Sequence, residues 1–202
     1  TKSTMADYKY LVSQGFRQKI LDFAAQGGRI LGICGGYQMM GDSIRDSEGV
    51  ESSGEIKGLG FFKLETEFLP EKVLKQVSCH LDLSLWEKQV SGKIQAYEIH
   101  MGKTLYRESY FPFGEGGAIH PNGCLAGTYY HGLFDHHEFR SSFLRALAEA
   151  AGKERPAADR AWDIQEIKEL HYERLKDLLT QNLNLHFLRK CLHLSSPSCS
   201  TS

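Results

Sequence analysis

Cys34 stands in the run Gly32-Ile33-Cys34-Gly35-Gly36-Tyr37-Gln38, a cysteine among glycines directly after a short apolar stretch. Residues 29–33 read as a strand and residues 37–40 begin a helical segment, so Cys34 falls at a strand-to-helix corner. Small neighbours tolerate the strained backbone of such a corner. A thiol at a helix N-terminus feels the positive end of the peptide dipoles, which predicts a lowered pKa and a reactive thiolate. The N–H of Gly35 could then face a developing oxyanion. A buried packing cysteine is the competing reading, because Cys is among the most buried residue types. The fuller pattern Gly-x-Cys-x-Gly-x-Gln favours catalysis. A phosphate-binding loop does not fit, since neither Gly-Lys-Ser/Thr nor Gly-x-Gly-x-x-Gly follows.

A cysteine nucleophile needs a base. His131, in Tyr130-His131-Gly132-Leu133-Phe134, lies just past an expected strand, where it can share a sheet end with Cys34. The run Ala96-Tyr97-Glu98-Ile99-His100-Met101-Gly102 places Glu98 and His100 on one strand face and Tyr97, Ile99 and Met101 on the other. Glu98 and His100 read either as a pocket wall or as solvent-facing residues of an antiparallel strand. Asp135, His136 and His137 crowd together but supply no recognised ligand spacing, so no metal site is expected.

The elements that must position these groups follow from periodicity. Residues 4–25 place Tyr8, Leu11, Val12, Phe16, Ile20, Phe23 and Ala24 near helical spacing, which predicts one amphipathic helix with Thr4 as N-cap and Gly27-Gly28 as its end. The order helix, strand, nucleophile belongs to an α/β sheet with its site at the carboxyl ends of the strands. Residues 59–66, 93–99, 104–109, 117–120 and 124–130 read as strands, with Pro121-Asn122-Gly123 a hairpin turn. Residues 42–58, rich in Ser, Glu and Gly, read as a mobile surface loop. Helices are expected over 138–151 and 162–182, the second with Ile164, Ile167, Leu170, Leu175, Leu178 and Leu179 on an apolar face. A single domain is expected over residues 1–190, followed by a disordered tail over 191–202 in which Ser195–Ser202 is Ser-rich. The chain opens on a helix cap with no preceding strand, which predicts missing upstream sequence and a sheet edge or apolar face for a partner to cover.

The 202 residues, 41% apolar and 24% charged, suit one substantial hydrophobic core. A formal net charge of −1 with interspersed signs offers no basic face for nucleic acid. No apolar run approaches the ~18 residues that span a bilayer, and no leader pattern opens the chain, which predicts a cytoplasmic protein without a membrane partner. Five irregularly spaced cysteines without Cys-x-x-Cys argue for reduced thiols rather than a disulfide framework or a zinc site.

With Cys34, the Tyr97-Glu98-Ile99-His100-Met101-Gly102 run and His131 in view, the chain resembles class I glutamine amidotransferases, and within them the amidotransferase domain of the cobyric acid synthase family. Gly35-Gly36-Tyr37-Gln38-Met39-Met40-Gly41 is similar to that family's nucleophile motif, and Tyr130-His131-Gly132-Leu133-Phe134 also matches. The Tyr37-Gln38 pair favours this family over the related a,c-diamide synthases. Thr1-Lys2-Ser3-Thr4 resembles the end of a Pro-Gly-Thr/Ser-Lys loop that closes an earlier strand in the family. The resemblance implies an α/β fold of class I glutamine amidotransferase (flavodoxin-like) type, a mixed sheet flanked by helices, here lacking its first strands.

It further implies that Cys34 attacks the carboxamide of glutamine, that His131 relays protons, that the Gly35 N–H stabilises the oxyanion, and that Gln38, Glu98 and His100 line the glutamine pocket. Ammonia would pass to an upstream synthetase domain, where ATP and Mg²⁺ support amidation of corrinoid side-chain carboxylates. No cofactor is implied for this domain; the corrinoid is a substrate. Many class I enzymes orient the histidine with a glutamate two residues on, and that position here is Leu133. The family resembled runs as a Cys-His pair, leaving Glu98 as one candidate to orient His131. Two other readings stay open, a cysteine hydrolase acting on another amide and a non-catalytic domain that docks a synthetase partner.

Overall fold

The computed structural model describes residues 3–154 and 164–192, which fall into two compact units, one within Thr1–Ala161 and one within Trp162–Ser202. The first unit opens with helices α1 (Thr4–Ser13) and α2 (Phe16–Ala25), strand β1 (Ile30–Ile33) and the short helix α3 (Gly35–Met39). Strands β2 (Ser43–Asp46), β3 (Gly54–Lys57), β4 (Leu64–Leu85) and β5 (Lys88–Tyr106) follow. After them come β6 (Phe111–Pro112), β7 (Gly117–Ile119), β8 (Leu125–Thr128), β9 (Tyr130–His131) and helix α4 (His137–Ala150). The second unit holds α5 (Ile164–Asn182) and α6 (Leu185–Cys191).

Two mixed sheets and their flanking helices bear out the α/β class expected from the sequence. One sheet has the order β1-β8-β7-β6 and the other β3-β2-β4-β5-β9. β1 runs parallel to β8, with Ile33 opposite Thr128, and β7 and β8 form the hairpin expected around Pro121-Asn122-Gly123. The chain then changes sheets within three residues. Thr128 ends β8 in the first sheet, and Tyr130 and His131 pair with Glu98 and Tyr97 in the second. This step brings the expected base toward the end of β1.

Two apolar cores hold the sheets and helices together, each with residues from both sheets. Leu81, Leu83, Leu85, Val90, Ile94, Phe113, Leu133, Phe139 and Phe143 form one cluster, between the β4–β5 hairpin and α4. Met5, Tyr8, Tyr37, Met40, Ile44, Phe62, Leu64, Phe68 and Tyr129 form the other, around α3. Burying a side chain such as Phe62 or Phe139 contributes about 1.5–3 kcal/mol. The nucleophile corner is thus mounted on packed apolar residues from both directions.

The structure corrects four expectations about elements. The helix over 4–25 is broken at Gly15, whose φ of +73° is a left-handed conformation that caps α2, and Thr4 lies inside α1 rather than capping it. Residues 42–58 are ordered: β2 and β3 pair antiparallel, and the buried Asp46 carboxylate accepts N–H bonds from Val50, Glu51, Ser52 and Ser53 at 2.7–3.0 Å. The strands over 93–99 and 104–109 are one strand, β5. Residues 67–85, not read as a strand, belong to β4, and a two-residue turn with Trp86 at φ 57° and Glu87 at φ 60° joins β4 to β5. The helix expected over 138–151 is α4, and that over 162–182 is α5 from Ile164 onward. Trp162 and the Ser-rich run over 195–202 lie outside the described residues. Among the described residues no helix is long and apolar enough to cross a membrane.

Candidate active site

β1 ends at Ile33 and α3 begins at Gly35, which leaves Cys34 alone at the corner with φ 53° and ψ −115°. For a residue with a Cβ this conformation costs on the order of 1–3 kcal/mol and persists only where the surroundings enforce it. They do so by main-chain bonds on both sides. The Cys34 N–H donates to the Thr128 carbonyl at 2.8 Å, extending the β1–β8 ladder, and its own carbonyl accepts from Gln38 at 3.1 Å. Tyr37, fully buried, anchors α3 against β8. Its ring lies so close to Gly127 that a Cβ there would come within 1.8 Å of Tyr37 Cδ2.

The Cys34 side chain is half-buried, and its Sγ donates to the carbonyl oxygen of Ile99 on β5 at 3.4 Å. β9 pairs with β5 only at Tyr97 and Glu98, and Tyr129 gives its N–H to Gly116, so the ladder stops short of Ile99. The same Ile99 carbonyl lies against the His131 ring, where it favours the charged imidazole. Cys34 and His131 are therefore brought to one main-chain oxygen.

Burial pushes the Cys34 thiol above its ordinary value; the Gly35 N–H works against that and the Glu51 carboxylate adds to it. The expected lowering at a helix N-terminus is thereby corrected. α3 has only five residues, and the desolvation of a half-buried sulfur outweighs what one N–H supplies. For His131, burial leads and lowers the pKa, the Ile99 carbonyl opposes this, and the neighbouring His100 adds to the lowering. Its Nε2 is buried without a hydrogen-bond partner. A thiol whose pKa is raised and an imidazole whose pKa is lowered, with its Nε2 unpartnered, suit general-base activation of sulfur when an acyl group arrives.

The other expected residues separate into distinct roles. Gly35 is buried beside the sulfur, with its N–H toward Cys34. Gln38 is buried and its amide is engaged at both ends: the carbonyl accepts from Thr4 Oγ1 and Nε2 donates to Met101 O, each at 3.2 Å. It frames the site by tying α1 to β5. Glu98 and His100 bind each other, Oε1 to Nε2 at 2.9 Å, while His100 Nδ1 meets the Gly102 carbonyl at 3.1 Å. The His100 ring stacks on Tyr129 with centroids 3.8 Å apart. Glu98 thus binds His100, while two groups on the same strand meet the His131 ring. These are the Ile99 carbonyl and the Tyr97 ring, which lies parallel to the imidazole at 5.1 Å with an interplanar angle of 12°.

Sequence reading did not single out either group. A main-chain carbonyl has no residue signature, and alternation puts Tyr97 on the strand face away from Glu98 without revealing its cross-strand partner. Among the described residues no three His, Cys, Asp or Glu side chains cluster as a metal site. Clefts of about 460 and 660 Å³ lie along β4 and the β7–β8 turn, and neither is lined by Cys34 or His131.

Comparison with known proteins agrees with this geometry. Residues 1–139 match the family described as CobB/CobQ-like glutamine amidotransferase domain. The cobyric acid synthase of Syntrophobacter fumaroxidans is 35% identical over 208 residues, covering 96% of this chain and 40% of that protein. That of Alkaliphilus metalliredigens is 36% identical, covering 95% of this chain and 41% of the relative. That of Streptococcus sanguinis is 37% identical, covering 92% and 38%. The chain thus spans about two fifths of the length of these relatives. A family match over more than half of the chain, on a strained cysteine corner that shares one carbonyl with a histidine, places it: the chain belongs to the CobB/CobQ-like glutamine amidotransferase domain family.

Proposed function

We propose that this chain hydrolyses the carboxamide of glutamine at Cys34 and delivers the ammonia to a synthetase domain that amidates corrinoid side-chain carboxylates in cobalamin biosynthesis. The observation that carries the glutaminase reading is the convergence of Cys34 and His131 on the Ile99 carbonyl. The corrinoid rests on the name cobyric acid synthase that the relatives carry, and the synthetase domain, with ATP and Mg²⁺ acting there, on the family resemblance of the sequence motifs.

The chemistry follows from the groups in place. His131 takes the thiol proton as sulfur attacks the carboxamide carbon, and the Gly35 N–H, already beside the sulfur, donates to the resulting oxyanion. The C–N bond breaks as His131 returns the proton to the leaving nitrogen, which departs as ammonia and leaves a glutamyl thioester. Water then attacks the thioester with His131 accepting its proton, the C–S bond breaks, and the sulfur is reprotonated as glutamate forms. In this reading Glu98 and His100, bonded to each other, line the glutamine pocket.

In the full-length protein, Cys34→Ala is expected to abolish glutamine-dependent amidation of the corrinoid while amidation from added ammonium persists. Glutamine-dependent activity at the wild-type level in Cys34→Ala contradicts the reading. Loss of both activities in a folded variant places Cys34 outside a separable glutaminase step and contradicts it too.

A further inference from the structure

The position two residues after His131, where many enzymes of this class carry a glutamate that orients the histidine, does not supply one here. Position 133 is a leucine that is 1% exposed in the core, and Glu98 is bound to His100. The ring is nevertheless fixed. Tyr97 lies directly opposite His131 in the β5–β9 ladder, and cross-strand partners carry their side chains side by side on one sheet face. Their rings are parallel to within 12° with centroids 5.1 Å apart, an offset stack. Two residues further along β5, the Ile99 carbonyl meets the same imidazole. One strand therefore supplies a flat wall and an oxygen in fixed register with each other.

We propose that Tyr97 is a positioning residue for His131, its ring and the Ile99 carbonyl together doing the orienting that a carboxylate does elsewhere. This rests on His131 acting as the base of a Cys34-dependent glutaminase. Three observations support it. Tyr97 is 45% exposed, so its ring is held by the stack more than by the core. The stack uses the ring face and not the hydroxyl. The stacked face also covers one side of the imidazole, on the residue whose pKa burial lowers. The titratable groups against the imidazole are Tyr97, stacked on it, and His100, both from β5.

The test compares Tyr97→Phe, Tyr97→Leu and Tyr97→Ala in the full-length protein, reading kcat and KM for ammonia release from glutamine across pH, with Cys34→Ala alongside. The Phe variant is expected to stay within about twofold of wild type, because the ring face is retained. The Leu and Ala variants are expected to lose roughly tenfold or more in kcat with KM changed less than about twofold, as a misoriented base slows proton transfer without weakening binding. Their acid limb should also move up toward the ordinary imidazole value of about 6.5. Leu keeps the apolar volume, so it remains informative if Ala does not fold. A Leu variant with wild-type kcat and an unmoved acid limb, beside an inactive Cys34→Ala, overturns the role of Tyr97 alone. A Phe variant as impaired as Leu overturns it as well, by assigning the effect to the hydroxyl. Activity surviving in Cys34→Ala overturns the glutaminase reading beneath it.

Discussion

The thiol of Cys34 donates to the carbonyl oxygen of Ile99, 3.4 Å away, so in the resting site the proton on sulfur points at main chain rather than at His131. Binding of a substrate must redirect that proton. Until then the site is poised with a neutral thiol, and this has measurable consequences.

Burial raises the Cys34 pKa, so the free enzyme should hold little thiolate at neutral pH. Alkylation of Cys34 by iodoacetamide, followed by peptide mapping across pH, should give a midpoint above the ordinary thiol value of about 8.5. A midpoint near or below 7 would mean that an ion pair with His131 forms without substrate.

Burial lowers the His131 pKa, so the ring stays unprotonated and able to accept a proton to a lower pH than an exposed imidazole. The acid limb of kcat/KM for glutamine hydrolysis should therefore fall below about 6.5. His131→Gln should reduce kcat by roughly 10²–10⁴-fold. An acid limb that is unchanged in a residually active His131→Gln would assign it to another group.

Gln38 is tied to Thr4 and Met101, so its loss should act on the frame before it acts on ligand binding. Gln38→Ala leaves the Met101 carbonyl and Thr4 hydroxyl without this partner and should cost about 1–3 kcal/mol in denaturant unfolding. A raised KM for glutamine with unchanged stability would instead put its amide on the substrate.

Asp46 is buried, and although burial alone would raise its pKa, four N–H bonds outweigh it and bring the value to about 2. A folded-state pKa below the unfolded value gives stability that is full above about 4 and is lost as pH falls through about 2. Asp46→Asn should cost about 2 kcal/mol at pH 7 and flatten the acid side of the stability curve. Equal acid sensitivity in wild type and variant would show that the loop over 47–53 is held by other contacts.

Gly127 accommodates the Tyr37 ring, and a Cβ at that position would meet it at 1.8 Å. Gly127→Ala should displace Tyr37 and with it α3, slowing Cys34 labelling far more than it alters helix content by circular dichroism. Wild-type labelling in this variant would show that the corner does not depend on Tyr37 for its placement.

Much of this was legible in the sequence, because glycines around a lone cysteine after an apolar strand have few structural explanations, and β1, Cys34 and α3 fall where the pattern puts them. The β7–β8 hairpin was announced by Pro121-Asn122-Gly123. The long β4–β5 hairpin was not anticipated. Its turn is Trp86-Glu87, neither a turn-forming residue, and the left-handed conformation there is enforced by the ladder, with the Trp86 ring packed edge-on to Phe143 at 5.0 Å. The alternation of Val77, Cys79, Leu81, Leu83 and Leu85 with polar residues did carry the signal for that strand. Asp46 looked like an ordinary loop acid, since nothing in its neighbours shows that four N–H groups will close on it. In the site, residue types pointed to Cys34 and His131, whereas the partners that fix them were hidden: a carbonyl, and a ring defined only by strand register.

The central claim is that Cys34 is the nucleophile of a formed glutamine site, and the most direct measurement is covalent labelling by a glutamine-like diazoketone, 6-diazo-5-oxo-L-norleucine, followed by intact mass and peptide mapping. One adduct on Cys34, suppressed by excess glutamine and slowed in His131→Gln, is the predicted result. A folded protein whose Cys34 remains unlabelled, or is labelled at a rate that glutamine does not change, would contradict it.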